Sequence, residues 1–250
     1  MPYLSVVIPS YNEISNLERG VLDSVYEYLQ SQNYTWEVIL SDDGSTDGTL
    51  TALESFAKRD KRIRVLQNPH AGKAPTVTAG MLAAKGEWRL FTDFDQSTPL
   101  SEIEPLLEYA KLGYQVVIGS REMIGAAREK EPLHRHIMGR GFNLLVQLFA
   151  VQGILDTQCG FKLFSAQATE LLFPKMRVYG SRKVTQDAFT GAFDVELLFL
   201  AQRNGFKIRE VPVQWIHYHT DRVSPIKDSI RMFIGILRIR ATALRGEYGQ

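Results

Sequence analysis

Leu90-Phe91-Thr92-Asp93-Phe94-Asp95-Gln96-Ser97-Thr98-Pro99 decides how this chain is read. Trp88 to Thr92 is apolar enough for a short buried strand, and Ser-Thr-Pro ends the pattern. In an extended chain, residues two apart project to the same side, so Asp93 and Asp95 face one way and Phe94 the other. Two carboxylates that close repel unless a positive charge sits between them. The guest that suits them is a hard divalent cation, Mg²⁺ or Mn²⁺, with phosphate oxygens in its remaining positions.

Working outward, the same grammar recurs. Leu4-Ser5-Val6-Val7-Ile8-Pro9 and Glu37-Val38-Ile39-Leu40-Ser41 are the unbroken apolar runs of buried parallel strands. Ile63 to Leu66 and Gln115 to Ser120 complete the set, and helical periodicity fills the gaps between them. Ser15 with Glu18, and Ser101 with Glu104, are spaced as capping boxes. This β-α alternation predicts an α/β fold with a doubly wound, mostly parallel sheet. Polar clusters follow the strands: Tyr11, Asn12 and Glu13, then Asp42 and Asp43, then Lys73, then Asp93 and Asp95. Ligands of open α/β sheets sit at the carboxyl ends of strands, so these clusters are expected to converge on one crevice.

The absences narrow the ligand. Neither a Gly-x-Gly-x-x-Gly nor a Gly-x-x-x-x-Gly-Lys-Ser/Thr motif occurs, which excludes the dinucleotide fingerprint and the P-loop. Asp42 or Asp43 can accept bonds from a base N–H or from ribose hydroxyls, Asp47 is suited to helix capping, and Lys73 can neutralise a diphosphate. With 29 basic and 28 acidic residues the net charge is +1, so general nucleic-acid binding is not expected and any cationic function must be local. A lone cysteine, Cys159, fits a reducing compartment, and no signal peptide or membrane-spanning segment is read from the chain.

Past residue 120 the texture becomes richer in Arg, Lys, Glu and His, and a helix is expected from Leu133 to Phe149. Gly160, in Asp156-Thr157-Gln158-Cys159-Gly160-Phe161-Lys162, signals a close backbone approach. Asp194 and Glu196 open a further helix, Phe193 to Arg203. A last helix, from about Ile226 to Arg245, carries an apolar stripe of Ile230, Phe233, Ile234, Leu237, Ala241 and Leu244. Arg231, Arg238 and Arg245 edge that stripe, which suits a core, a membrane surface or a homodimer.

Val6 to Glu13, Ser41 to Thr49 and Asp93-Phe94-Asp95 resemble the three signatures of family 2 inverting glycosyltransferases of the GT-A fold. Gly119-Ser120-Arg121, Pro132 to Arg135, Arg140 to Leu145, Asp156 to Lys162, Phe193 to Leu198 and Ser224 to Met232 are similar to the polyprenyl-phosphate sugar synthases. Within that group they look most like the dolichyl-phosphate β-glucosyltransferases, then the mannosyltransferases. The resemblance implies that Pro9, Tyr11, Glu13 and Asp42 hold the nucleoside, that Asp93 meets sugar and ribose, and that Asp95 is the main metal ligand. Where the mannosyl relatives carry a metal-binding glutamine this chain has Ser97, with Gln96 displaced by one. Arg121 and Arg135 match arginines that grip the acceptor phosphate, and Arg140 stands beside them.

The resulting expectation is metal-dependent transfer of a hexose, glucose from UDP-glucose, to a polyprenyl or dolichyl phosphate by an enzyme peripheral to the cytoplasmic membrane face. Residues 1–220 form the catalytic domain, 1–120 its nucleotide-sugar half and 121–220 its acceptor half, with 221–250 a helix on the domain or the membrane. A phosphate oxygen is already anionic and needs no base, so cations at the acceptor end favour a lipid phosphate. Arg128 and Lys130 are expected to pair with nearby surface glutamates instead. The alternative is a hydroxyl acceptor of a soluble or glycan substrate, with Asp194 or Glu196 as base.

Overall fold

The computed structural model describes residues 1–129, 146, 147, 149–180, 191–218 and 225–249. Its centre is a seven-stranded sheet of β1 (Leu4–Ser10), β2 (Trp36–Asp42), β3 (Ile63–Gln67), β4 (Trp88–Thr92), β5 (Val116–Ser120), β7 (Phe161–Ser165) and β8 (Ile208–Pro212). The order is β3-β2-β1-β4-β7-β5-β8, and only β7 runs antiparallel to its neighbours. A two-stranded parallel ribbon, β6 (Ala127–Glu129) with β9 (Gln214–Ile216), stands beside it.

Strand alternation sorts the core into two layers. Leu4, Val6 and Ile8 of β1 join one apolar cluster and Val7 the other. Helices α2 (Val21–Gln30), α3 (Thr49–Ala57) and α5 (Ile103–Lys111) bury their apolar faces in the first layer. Helices α4 (Lys73–Ala83), α6 (Ala166–Leu172) and α7 (Phe193–Arg203) fill the second. Residues Phe193 to Ala201 of α7 are all buried, the habit of an interior helix.

Neither expected capping box forms. Short α1 (Ile14–Glu18) has Glu13 at its N-cap without a side-chain bond, and Gly20, in the left-handed region, separates it from α2. Its entry is fixed by the next strand's loop instead: Asp47 Oδ2 accepts from Ile14 N at 3.3 Å and Thr49 Oγ1 from Glu13 N at 2.8 Å. Asp47 also accepts from Thr49 N, the first residue of α3, at 3.0 Å, while Gly48 stands at the cap itself. Glu104 turns outward to accept from the Tyr28 and Tyr34 hydroxyls, and a 3-10 turn, Leu100–Glu102, opens the segment where the second box was expected.

Two features carve the crevice. The chain passes from β1 to β2 and β3 on one side and returns to β4 on the other, which makes the β1–β4 boundary the switch point of the sheet. There β1–β4 pairing ends at Val7 with Phe91, while β1–β2 pairing continues to Ser10 with Asp42. Pro9, which has no N–H to donate, falls beyond the last β1–β4 pair. Asn12 after β1 and Gln96 after β4 both adopt left-handed backbone, φ 53° and 51°, a cost tolerated where a site over-determines the chain.

Helix α8 (Pro225–Leu244) closes the chain. It buries Gly235, Ile236, Ile239 and Thr242, not the stripe that the sequence displays. Ile230, Ile234, Leu237 and Leu244 face outward, 57%, 44%, 43% and 83% exposed. Phe149 and Phe233 pack edge to face beside them, ring centroids 5.9 Å apart. Of the helix expected to begin at Leu133, Val146, Gln147 and Phe149 are helical, and residues 133–145 lie outside the described residues. No helix among the described residues is long and apolar enough to cross a membrane.

Candidate active site

The loops after β1, β2 and β4 meet as expected, and each acid pair has a distinct local environment. Asp42, 1% exposed, accepts from Ser10 Oγ, Gly44 N, Ser45 N and Ser45 Oγ, the last at 2.6 Å. Asp43 accepts from Ala71 N, Gly72 N and Thr76 Oγ1, and lies 2.9 Å from His70 Nδ1. The His70 ring so held stacks on Tyr11 with centroids 4.2 Å apart and planes 10° apart. Tyr11 and His70 form an aromatic floor at the β1 end. His70 escaped the sequence reading because only the fold brings its turn to Tyr11.

Asp93 and Asp95 stay available. The Lys73 ammonium pairs with Asp93 Oδ1, and the Asp93 side chain remains 38% exposed. Burial works against the Lys73 ammonium, but Asp93, Asp194 and Asp95 outweigh it and hold its pKa above the ordinary lysine value. For Asp95, burial and then the Asp93 carboxylate push the carboxyl above its usual range. The Asp95 carboxylate accepts from Ser97 N at 2.9 Å, so Ser97 lies beside it as the sequence predicts. Arg19 reaches the Asp95 carbonyl at 3.3 Å and lies 4.0 Å over the Tyr218 ring. The close approach at Gly160 is explained here: a Cβ at that position would collide with the Asp93 carboxylate.

Two crowded carboxylates, one with a raised pKa, are what a divalent cation relieves, so this donor set fits one. Among the described residues no three His, Cys, Asp or Glu side chains group into a ready-made cage. Asp95, Asp93 and the Ser97 hydroxyl are therefore the oxygen donors on offer.

At the β5 end, Arg121 follows the strand and is gripped by Asp156. Its Nε donates to Oδ2 at 2.7 Å, its Nη2 to Oδ1 at 2.9 Å, and its backbone N to Oδ2 at 2.9 Å. Burial alone would raise the Asp156 carboxyl, but Arg121 holds it well below the usual carboxylate range. Trp215 flanks the guanidinium at 5.4 Å. Lys130, Arg135 and Arg140 lie outside the described residues, as does the Arg128 side chain.

The two carboxylates named as bases in the alternative reading are both engaged within the fold. Glu196 is 0% exposed and accepts from Arg177 N, Val178 N, Tyr179 N and Tyr248 Oη, all between 2.7 and 2.9 Å. Its lone pairs staple a loop and the chain end to α7. Asp194, 8% exposed, pairs with Lys162 Nζ at 2.7 Å. Cys159 is also buried, and burial pushes its thiol up to about 11, so it offers no nucleophile.

The chain is similar to known proteins in sequence and in fold. The glycosyl transferase family 2 description matches residues 5–173. The chain is 34% identical over 254 residues to a dolichyl-phosphate beta-glucosyltransferase of Trichomonas vaginalis, covering 95% of this chain and 72% of that protein. It is 32% identical over 265 residues to the dolichyl-phosphate beta-glucosyltransferase of Saccharomyces cerevisiae, covering 98% and 76%. In fold it is similar to a mannosyltransferase from Pyrobaculum calidifontis solved with GDP-Man and Mn²⁺, TM-score 0.63 at 21% identity over 98% of this chain and 64% of that one. Glucosyl-3-phosphoglycerate synthase from Mycobacterium tuberculosis, solved with Mn²⁺ and UDP, gives TM-score 0.63 at 20% identity over 96% and 80%.

Proposed function

We propose that this chain, which belongs to glycosyl transferase family 2 and has the GT-A fold, moves a hexose from a nucleoside-diphosphate sugar to a polyprenyl or dolichyl phosphate with inversion. The curated relatives favour glucose as the sugar, and UDP-glucose is the corresponding donor. The observation that carries this reading is the division of charge around the crevice. Half-buried acids with Lys73 stand at the β4 end, a braced arginine stands at the β5 end, and Asp194 and Glu196, the bases of the alternative reading, are engaged by other groups.

Asp95, with Asp93 and the Ser97 hydroxyl, would hold Mg²⁺ or Mn²⁺, which supplies positive charge to the diphosphate. The nucleoside would lie along Pro9, Tyr11 and Glu13, with Asp42 shaping the loop beneath it. Lys73 offsets the charge that grows on the leaving diphosphate. Arg121, aimed by Asp156, presents an acceptor phosphate oxygen to the anomeric carbon. The new C1–O bond forms on the face opposite the breaking one, and no proton has to be removed.

The outward stripe of α8 and the exposed Arg238, Arg240 and Arg245 suit the interfacial plane of an anionic bilayer, where a lipid phosphate would be met. In this reading 1–120 serves the donor, 121–220 the acceptor and 221–250 the membrane surface, on the cytoplasmic side in keeping with one unpaired cysteine. The test is incubation with Mn²⁺ or Mg²⁺, a panel of UDP- and GDP-sugars, and short polyprenyl phosphates. A β-linked lipid-phosphate glucose is expected from UDP-glucose, and no lipid-linked product from any pairing would overturn the proposal. Vesicles containing phosphatidylserine should retain the protein and lose Leu237→Glu, and light scattering would reveal a homodimer as the rival use of that face.

A further inference from the structure

Asp42 and Asp43 are the acids suited by sequence to accept an N–H from a base, and the fold has already committed both. Asp42 accepts from Ser10, Gly44 and Ser45, and Asp43 from Ala71, Gly72 and Thr76. A base in this crevice needs another acceptor, and one stands beside them. His70 lies in the turn between β3 and α4, its side chain 18% exposed. Its Nδ1 is 2.9 Å from Asp43 Oδ2 and 3.1 Å from the Asp43 carbonyl oxygen. A carbonyl oxygen only accepts, so Nδ1 carries the proton, and Nε2 of the neutral ring is an acceptor.

That nitrogen is the unused end of a fixed ring. Tyr11 stacks on the imidazole, centroids 4.2 Å and planes 10° apart, which with the Asp43 contacts sets its plane and its rotation. No hydrogen bond reaches Nε2 among the described residues. An acceptor oriented in advance loses little freedom on binding, which is what makes a single polar contact selective. His70 stands with the loops after β1 and β2, whereas Asp93 and Asp95 follow β4. Three residues further on, Lys73 pairs with Asp93, so one turn serves both parts of the crevice.

We propose that His70 is a specificity-determining residue for the nucleobase: Nε2 accepts an imino N–H, N3–H of uracil or N1–H of guanine. Cytosine and adenine present a lone pair at that position and are disfavoured, acceptor against acceptor. The inference rests on the transferase reading above and deepens its donor end. Its test is calorimetric binding of UDP, CDP, GDP and ADP with Mn²⁺ present, which requires no turnover. Wild type should prefer the imino base, UDP over CDP or GDP over ADP, by roughly tenfold, the scale of one hydrogen bond. His70→Phe keeps a ring against Tyr11 and leaves Asp43 its donors from Ala71, Gly72 and Thr76. It should erase the preference by weakening UDP or GDP about tenfold while CDP or ADP holds. A merely structural histidine would weaken both members of a pair alike and leave their ratio intact. Should His70→Phe fail to fold, His70→Asn reads the same ratio, its amide still able to donate to Asp43. A wild-type ratio in the variant, or no preference in the wild-type protein, overturns the proposal. Binding of none of the four by the wild-type protein would instead overturn the transferase reading.

Discussion

Two acid pairs flank β1, Asp42-Asp43 at the end of β2 and Asp93-Asp95 at the end of β4, and they meet opposite fates. A carboxylate has about four acceptor positions. The first pair spends them on the protein: Ser10, Gly44 and Ser45 surround Asp42, while Ala71, Gly72 and Thr76 surround Asp43. The second pair meets Lys73 and the backbone of Ser97 and keeps acceptor capacity in reserve. Two acids at each of two strand ends thus yield one pair that builds the crevice wall and another that keeps acceptors open to the crevice. The difference lies in what the surrounding turns donate: Gly44, Ser45, Ala71 and Gly72 supply N–H groups to the first pair, and the turn after β4 supplies the Ser97 N–H to the second.

Substitutions can break this comparison, beginning with the largest effect. Asp95→Asn should lower transfer by about 10²–10³-fold, the scale of losing one preorganised electrostatic group, with little change in melting temperature. Initial rates with UDP-glucose and a short polyprenyl phosphate would measure it. Gly160→Ala should displace the Asp93 carboxylate and cost roughly 10²-fold in kcat, since misplacement by about an ångström at a reacting centre has that effect. A fully active Gly160→Ala would show that Asp93 tolerates movement. Asp43→Ala should do the reverse of Asp95→Asn, destabilising the protein by roughly 1–3 kcal/mol through orphaned donors, as urea unfolding would report. Smallest is a pH effect. Arg121 holds Asp156 below its unfolded value of about 4, so Asp156 contributes stability above that pH and loses it as pH falls through that range. The stability gap between wild type and Asp156→Asn should therefore narrow on acidification below about pH 4, seen by thermal unfolding.

Much of this was legible before folding. Unbroken apolar runs specified β1, β2, β4 and β5, because a strand covered on both faces cannot alternate. The polar clusters at their ends announced the crevice, and Gly160 announced a contact without naming Asp93. What could not be read were partners set by the third dimension. The Ser15 and Ser101 capping boxes failed because Asp47 from another loop and a 3-10 turn supplied the ends instead. Glu196 looked like a base and is a knot, since nothing in Phe-Asp-Val-Glu tells which N–H groups will surround it. The α8 stripe was visible, but the buried face came from Gly235, Ile236 and Ile239, residues that leave the stripe outside. His70 and Lys162 went unnoticed, each ordinary in its local sequence and distinctive only through what it meets.

The antiparallel β7 carries a consequence for biosynthesis. Residues up to Ser120 emerge with β4 and β5 as separated edges, and the strand that joins them, Phe161–Ser165, is made later. A nascent chain that paused before that segment would present two open ladders, each apt to recruit a stray strand. Expression of 1–120 alone should accordingly give insoluble material: the first half of the sheet cannot be harvested without the strand that joins its open edges.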